Sequence, residues 1–280
     1  MEDLKNYKKN IYSQHGEDGI IEEILKRLNQ YNDFQYCEFG AWDGVHLSNT
    51  CALIKKNDCK ALLIEPNIKK YNELCKNFPS KEIIKLNNFV EVEGKNSLDN
   101  LLKKNNFNLN FDFLSIDVDS IDYYIFKSLN IYKPKLICIE YNPTIPNEIY
   151  FIQKNSGSIN QGSSAKALIE LASKKKYSPV CATETNLFFI HEDFKSSVVG
   201  NIKLSLDDLI DDNKFKNFIF YGYDGSIFTS QKIRLPWHNF VVKDINVLNK
   251  YLRKYPRNYN FFEKYLFKIL RRLNNFFNKS

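Results

Sequence analysis

No uncharged apolar run in the 280 residues reaches the roughly 18 residues that a membrane-crossing helix needs, and the opening MEDLKNYKKN lacks the apolar stretch of a secretory leader. A cytoplasmic protein is the expectation. Zinc-type cysteine spacing is missing as well: Cys37, Cys51, Cys59, Cys75, Cys138 and Cys181 contain no Cys-x-x-Cys pair, and Cys37 and Cys138 lie in apolar runs that read as buried strands. Reduced structural thiols follow. There is no internal repeat, no low-complexity tract and no Gly/Ser-rich linker. What is present, 43% apolar and 26% charged residues, suits one domain of about 150 to 250 residues plus an extension.

The net charge of +7 is unevenly held. Residues 243–280 carry ten Lys/Arg against two Asp/Glu, a net of +8, so the first 242 residues sum to −1. A chain-wide nucleic-acid surface is therefore not expected, whereas a local anionic partner for the tail is.

Through the first 190 residues short apolar runs alternate with helical patterns, the signature of βαβ units and a parallel sheet. Strands are expected at 34–39, 61–64, 82–86, 113–118 and 136–141. Ile20, Ile21, Ile24, Leu25 and Leu28 make one helical face before the first strand, and Ala165, Leu168, Ile169 and Ala172 make another after Gly162. Two late strands, 178–182 and 187–191, are joined so tightly by Thr183 to Asn186 that they must form an antiparallel hairpin. Beyond Phe194 come an acidic cluster (Asp207, Asp208, Asp211, Asp212), a glycine-punctuated run and an aromatic, basic ending. The expected division is 1–193 for the main domain and 194–280 for a helical C-terminal extension with a basic amphipathic tail.

In Tyr36-Cys37-Glu38-Phe39-Gly40-Ala41-Trp42-Asp43-Gly44 an apolar strand runs into two glycines and two acids. The first strand-to-helix turn of an open α/β sheet binds nucleotides, because glycines let the backbone approach the ligand. Glu65 ends the next strand, 27 residues after Glu38, where a carboxylate can accept from both ribose hydroxyls. Together the two features point to a nucleoside cofactor, although a glycine turn by itself is often structural punctuation.

At this point the chain resembles the class I S-adenosylmethionine (SAM) dependent methyltransferases, and within them the FkbM-like branch of surface-polysaccharide and secondary-metabolite pathways. The segments that carry the resemblance span residues 11 to 192: YSQHGEDGIIEEIL, CEFGAWDG, LLIEP, FDFLSIDVDSIDYYIF, LICIEYNP, QGSSAKALIELASKKKY and NLFFI. The resemblance implies a Rossmann-like, mostly parallel seven-stranded sheet with an antiparallel last strand. It also implies Glu38 and Gly40, with Ala41 and Trp42, beside the methionine part of SAM, Glu65 on its ribose, Asn87 or Asn88 near its adenine, and the segment of Gln14 and His15 over the cofactor. One departure is Trp42, which stands where the common turn has its middle glycine. GxGxxG is absent, and a large Trp42 would crowd a pyrophosphate, which counts against an NAD enzyme.

A second constellation is acidic. Asp117 and Asp119 close the fourth strand, and Glu140 with Asn142 closes the fifth; if strand geometry persists, Asp117 and Asp119 share one side at the carboxyl edge. Such an oxygen-rich group suits Mg²⁺ or Mn²⁺. Two other uses stay open: capping of the next helix, and Asp117 as a metal-free general base. His46, just past the glycine turn, is a candidate base or ligand, or else a polar first-turn residue. His15 belongs either over the cofactor or to a capping box. His191 should lie at the opposite edge, and the Thr183 to Asn186 tip at the ligand edge.

In the tail, Phe262, Tyr265, Leu266, Ile269, Leu270 and Leu273 form a stripe with cations between. Such a basic amphipathic helix either packs in a core or homo-oligomer or lies on an anionic membrane, in this case the inner face. The expectation is a SAM-dependent O-methyltransferase of a saccharide-linked or phosphorylated, even phosphoramidate, acceptor in capsule biosynthesis. The rivals are a non-catalytic SAM- or nucleotide-binding module that recruits a membrane assembly, and an NAD-dependent oxidoreductase.

Overall fold

Runs of β-branched and aromatic residues that are buried on both faces become strands, and the computed structural model describes residues 1–28, 33–156, 158–200 and 202–277. The strands of the main sheet are β1 (Phe34–Phe39), β2 (Cys59–Ile64), β3 (Ile83–Leu86), β4 (Phe113–Ile116), β5 (Leu136–Glu140), β6 (Tyr177–Ala182) and β7 (Asn186–His191). Their order is β3-β2-β1-β4-β5-β7-β6, and β7 runs antiparallel to β5 and β6 while the others are mutually parallel. This is the Rossmann-like seven-stranded sheet expected.

Alternation along each strand builds two cores. Phe39, Ile64, Ile116, Ile139 and Phe189 face one side, where α4 (Leu98–Lys104), α5 (Asp122–Ser128) and α6 (Ala165–Lys174) pack with Leu102, Phe126 and Leu168. Tyr36, Leu63, Phe113, Cys138 and Phe188 face the other, against α1 (Glu17–Arg27), α2 (Cys51–Lys56) and α3 (Ile68–Asn77) through Ile20, Ile24, Leu53 and Leu74. All six cysteines are free thiols.

The chain forms two compact units, 1–215 and 216–280, so the first unit continues past the break expected at residue 193. The cause is the acidic cluster. Asp212 Oδ2 accepts from Asn147 N at 2.7 Å, Asp207 Oδ1 accepts from Asn147 Nδ2 at 2.9 Å, and Leu209 of α8 (Leu206–Leu209), which follows α7 (Lys195–Val199), is buried in the first core. Those acids fasten the chain to the domain instead of opening an extension.

The second unit is also less purely helical than expected. It holds two short hairpins, β8 (Ile219–Tyr221) with β9 (Ile227–Thr229) and β10 (Arg234–Leu235) with β11 (Phe240–Val241), before α9 (Phe261–Phe277). The glycine-punctuated run closes the first of these: Gly222 N donates to Ser226 O at 2.8 Å, and Gly225 takes φ +79°. No helix among the described residues is long and apolar enough to cross a membrane.

Candidate active site

Strand order reverses at β1, whose neighbours are β2 on one side and β4 on the other, and open α/β sheets hold ligands in the crevice at such a switch point. The residues at the carboxyl ends of these strands therefore line the candidate site. Leaving β1, Gly40 takes φ +75°, and a Cβ there would meet Asp117 O at 1.6 Å. Glycine at 40 is demanded by the approach of the β4 end as well as by the turn. Trp42 also sits in the left-handed region, at φ +52°, so it occupies a conformation that favours glycine. Its indole is half exposed, and Lys70 Nζ lies 4.8 Å from the ring centroid.

Glu65 ties this turn to the end of β2. Its Oε2 accepts from Trp42 N at 2.9 Å and its Oε1 from Asn67 N at 2.7 Å. Burial pushes the carboxyl above its usual range, against the pull of these two N–H groups and of Lys70. Each oxygen keeps a further acceptor position. Asn87 is exposed and braces the same corner, donating from Nδ2 to Glu65 O at 2.8 Å and Pro66 O at 2.9 Å, while Asn88 Nδ2 donates to Asn96 Oδ1 at 3.2 Å.

Glu38 has a structural task. It is buried, and its carboxylate accepts from Ser48 Oγ (2.6 Å), Thr50 Oγ1 (2.6 Å) and Asn49 N (2.8 Å), which folds the loop into α2 beneath the turn. Burial raises its pKa, and those three donors oppose the rise. Ala41 N donates to Ile64 O at 3.1 Å, which ties the turn to β2. Gln14 is exposed, with its carbonyl accepting from Asn10 Nδ2. His46 is exposed too; its N–H and that of Val45 go to Asp43 Oδ1 at 2.7 and 2.9 Å, and its ring is not among the ligand-capable groups gathered at the acidic edge.

That edge assembles Asp117, Asp119 and Glu140, whose ligand oxygens all lie within 4.8 Å of one another. The route differs from the strand argument. β4 stops at Ile116, Asp119 turns into the left-handed region at φ +57°, and so the alternation of a strand does not bring the aspartates together. Neither aspartate caps the following helix. Asp122 holds that loop, accepting from Val118 N at 2.9 Å and Ser120 N at 3.0 Å. Among the described residues none of the three clustered carboxylates accepts a hydrogen bond or forms an ion pair. Burial, then Asp122, Asp119, Glu38 and Glu17, drives Asp117 well above its ordinary pKa; burial, then Asp117, Asp119 and Asp122, pushes Glu140 up to about 10.

Asn186, at the hairpin tip expected here, and Glu17, which the sequence reading did not single out, complete this edge. Asn186, first residue of β7, pairs in register with Glu140, which sets their side chains beside each other on one face. Its Nδ2 donates to Glu17 Oε1 at 3.3 Å, and among the described residues its buried Oδ1 has no partner. Glu17 is fully buried and also accepts from Thr183 Oγ1 and His15 N, both at 2.6 Å. Burial pushes the Glu17 carboxyl up, but these hydrogen bonds bring it below its ordinary range. The hairpin tip is thus at the ligand edge, and His191, in contact with Tyr177, is at the other. At the start of α1 the capping exchange runs between Ser13 and Asp18, not through His15: Asp18 N donates to Ser13 Oγ at 3.0 Å and Ser13 N to Asp18 Oδ2 at 2.8 Å.

No protein-family model and no curated protein matches the chain. Solved structures similar to it include the CMeT domain of the citrinin polyketide synthase, at 11% identity and TM-score 0.43, over 62% of this chain and 51% of that one. The cyclase SpnF is similar at 9% identity and TM-score 0.41, over 62% of this chain and 63% of that one. A SAM-dependent methyltransferase from Aquifex aeolicus is similar at 10% identity and TM-score 0.38, over 66% of this chain and 94% of that one. The chain spans about half of the first of these structures and under two thirds of the second. The fold assignment rests on the strand order itself.

Proposed function

We propose that this chain is a SAM-dependent O-methyltransferase, and that its acceptor oxygen belongs to a saccharide-linked or phosphorylated molecule of the kind its FkbM-like resemblance suggests, in surface or capsular polysaccharide synthesis. The observation that carries the reading is Glu65: a carboxylate at the end of β2, beside the switch point, joined to the glycine turn and with acceptor positions left for two ribose hydroxyls. When bound, SAM supplies an electrophilic methyl on a sulfonium. The work of the chain is to place the acceptor oxygen in line and to take its proton. Asp117 is the candidate for that proton, because its carboxylate stands at the carboxyl edge beside the glycine turn without a hydrogen-bond donor among the described residues.

The same residues fit a divalent ion. Three carboxylates without donors, next to an unpaired amide oxygen on Asn186, form the all-oxygen set that suits Mn²⁺ or Mg²⁺. Asp117, Asp119 and Glu140 would hold the ion, which would supply charge neutralisation for a phosphorylated acceptor. Incubation with methyl-labelled SAM and a panel of sugar phosphates and nucleotide sugars should label a saccharide fraction. The absence of label from every sugar and nucleotide pool, with SAM bound, would instead favour a non-catalytic binding module.

A further inference from the structure

Unit 216–280 has thirteen Lys/Arg and three Asp/Glu, a net of +10, in a chain whose total is +7. Its longest element, α9, has no buried residue along its 17 positions. At 100° per residue, Phe262, Tyr265, Leu266, Ile269, Leu270 and Leu273 fall on one side of the helix, Lys264, Lys268 and Arg271 fall on the other, and Arg272 lies at the margin beside Tyr265. The apolar side is open: Phe262 is 83% exposed, Tyr265 64% and Leu273 49%. The helix is fixed to its unit along a different flank, where Phe267 packs on Tyr259 with centroids 5.4 Å apart and Glu263 pairs with Lys254 at 2.6 Å. Elsewhere in the unit Tyr221, Tyr223 and Trp237 are exposed by 60% or more, and such rings favour the headgroup level of a bilayer.

We infer that this unit docks on an anionic phospholipid surface, with α9 lying in the plane of the interface, its apolar side among the upper acyl chains and its cations against the headgroups. An apolar stripe opposite a cationic face is the pattern of interfacial helices. Charge selects the occupant. A second copy would bring another +10 against the first, whereas an anionic leaflet attracts each Lys and Arg. The inference does not depend on the methyltransferase reading, and its failure would leave that reading standing.

The test is cosedimentation of the full chain with vesicles of phosphatidylglycerol and phosphatidylcholine, compared with phosphatidylcholine alone. Binding should need the anionic lipid and weaken as salt rises from 0.05 to about 0.5 M, because the Debye length shortens. Leu266→Glu with Leu270→Glu should weaken it at least about tenfold, and so should Arg271→Glu with Arg272→Glu. All four residues are exposed, so the melting temperature should not move, and that is the control for folding. Failure of the wild-type chain to sediment, equal binding to neutral vesicles, or unaltered binding by the leucine variant would overturn the inference. So would a dimer in sedimentation velocity that the leucine variant dissociates, which would assign the stripe to a second copy.

Discussion

The Asp117 carbonyl oxygen occupies the space beside Gly40 so closely that a Cβ on residue 40 would fall 1.6 Å from it. The glycine turn after β1 and the acidic edge after β4 are thus one packed unit, and neither can be altered without moving the other.

Gly40→Ala should therefore be among the costliest single changes in the chain. It places a side chain at φ +75° and against backbone that cannot swing aside, so the loss should exceed about 2 kcal/mol. Urea denaturation reads it as a fall in midpoint at constant slope. An unchanged midpoint would mean that the β1 and β4 ends are not so tightly joined.

Protonation of the acidic edge gives a pH signature to the ligand-free protein. Burial and the neighbouring Asp117, Asp119 and Asp122 push Glu140 up to about 10 in the fold, above the ordinary 4.5, so between those values the folded state should hold a proton that the unfolded state has released. The associated stability is present below pH 4.5 and is lost as pH rises towards 10. Asp122, raised to about 6, acts the same way at lower pH, so above pH 6.5 the contribution of Glu140 is read as the difference between wild type and variant. Melting temperature should fall between about pH 6.5 and 9, and Glu140→Gln should flatten the fall and raise the value at pH 9 by about 2–4 °C, the shift that roughly 1 kcal/mol produces. A parallel profile in the variant would contradict the assignment.

Divalent metal should reverse that trend. A cation competes with protons for the same carboxylates, so the rise in melting temperature on adding Mn²⁺ should grow between pH 6 and 8. Asp117→Asn should remove most of the rise, and EDTA should depress methyl transfer in the wild-type protein. A Mn²⁺ effect that survives Asp117→Asn would place the ion elsewhere; undiminished turnover in EDTA would leave Asp117 as a simple base.

The sheet was legible in the sequence because it is buried on both faces: runs such as Phe34 to Phe39 and Leu187 to His191 are mostly apolar and bounded by turns. Glu65 was legible for a similar reason, as a charge abruptly closing an apolar strand. Glu38 shows the limit. An acid before a glycine turn reads as a ligand residue, and its hold on Ser48, Asn49 and Thr50 was not legible because they lie in a loop whose path no periodicity predicts. Whether Asp117 and Asp119 cap the next helix was open in the sequence, because the choice of capping acid depends on where β4 stops; Asp122, to which the sequence assigned nothing, holds the loop, and Asp119 adopts a left-handed conformation that its sequence does not announce. Asn186 and Glu17 needed the register of β7 on β5, a long-range pairing, before either could be seen beside Glu140. The tail stripe was legible as a pattern, and its exposure needed the structure.

The most direct test of the central claim is calorimetric titration of the purified chain with SAM, repeated with Glu65→Ala and with NAD as the competing ligand. One saturable SAM site is expected on the wild-type protein, with heat largely abolished in Glu65→Ala and none with NAD. At about 100 times the dissociation constant, SAM should also add roughly 2.7 kcal/mol of stability, which a thermal melt detects independently. Binding of NAD with no response to SAM or its demethylated product would contradict the account.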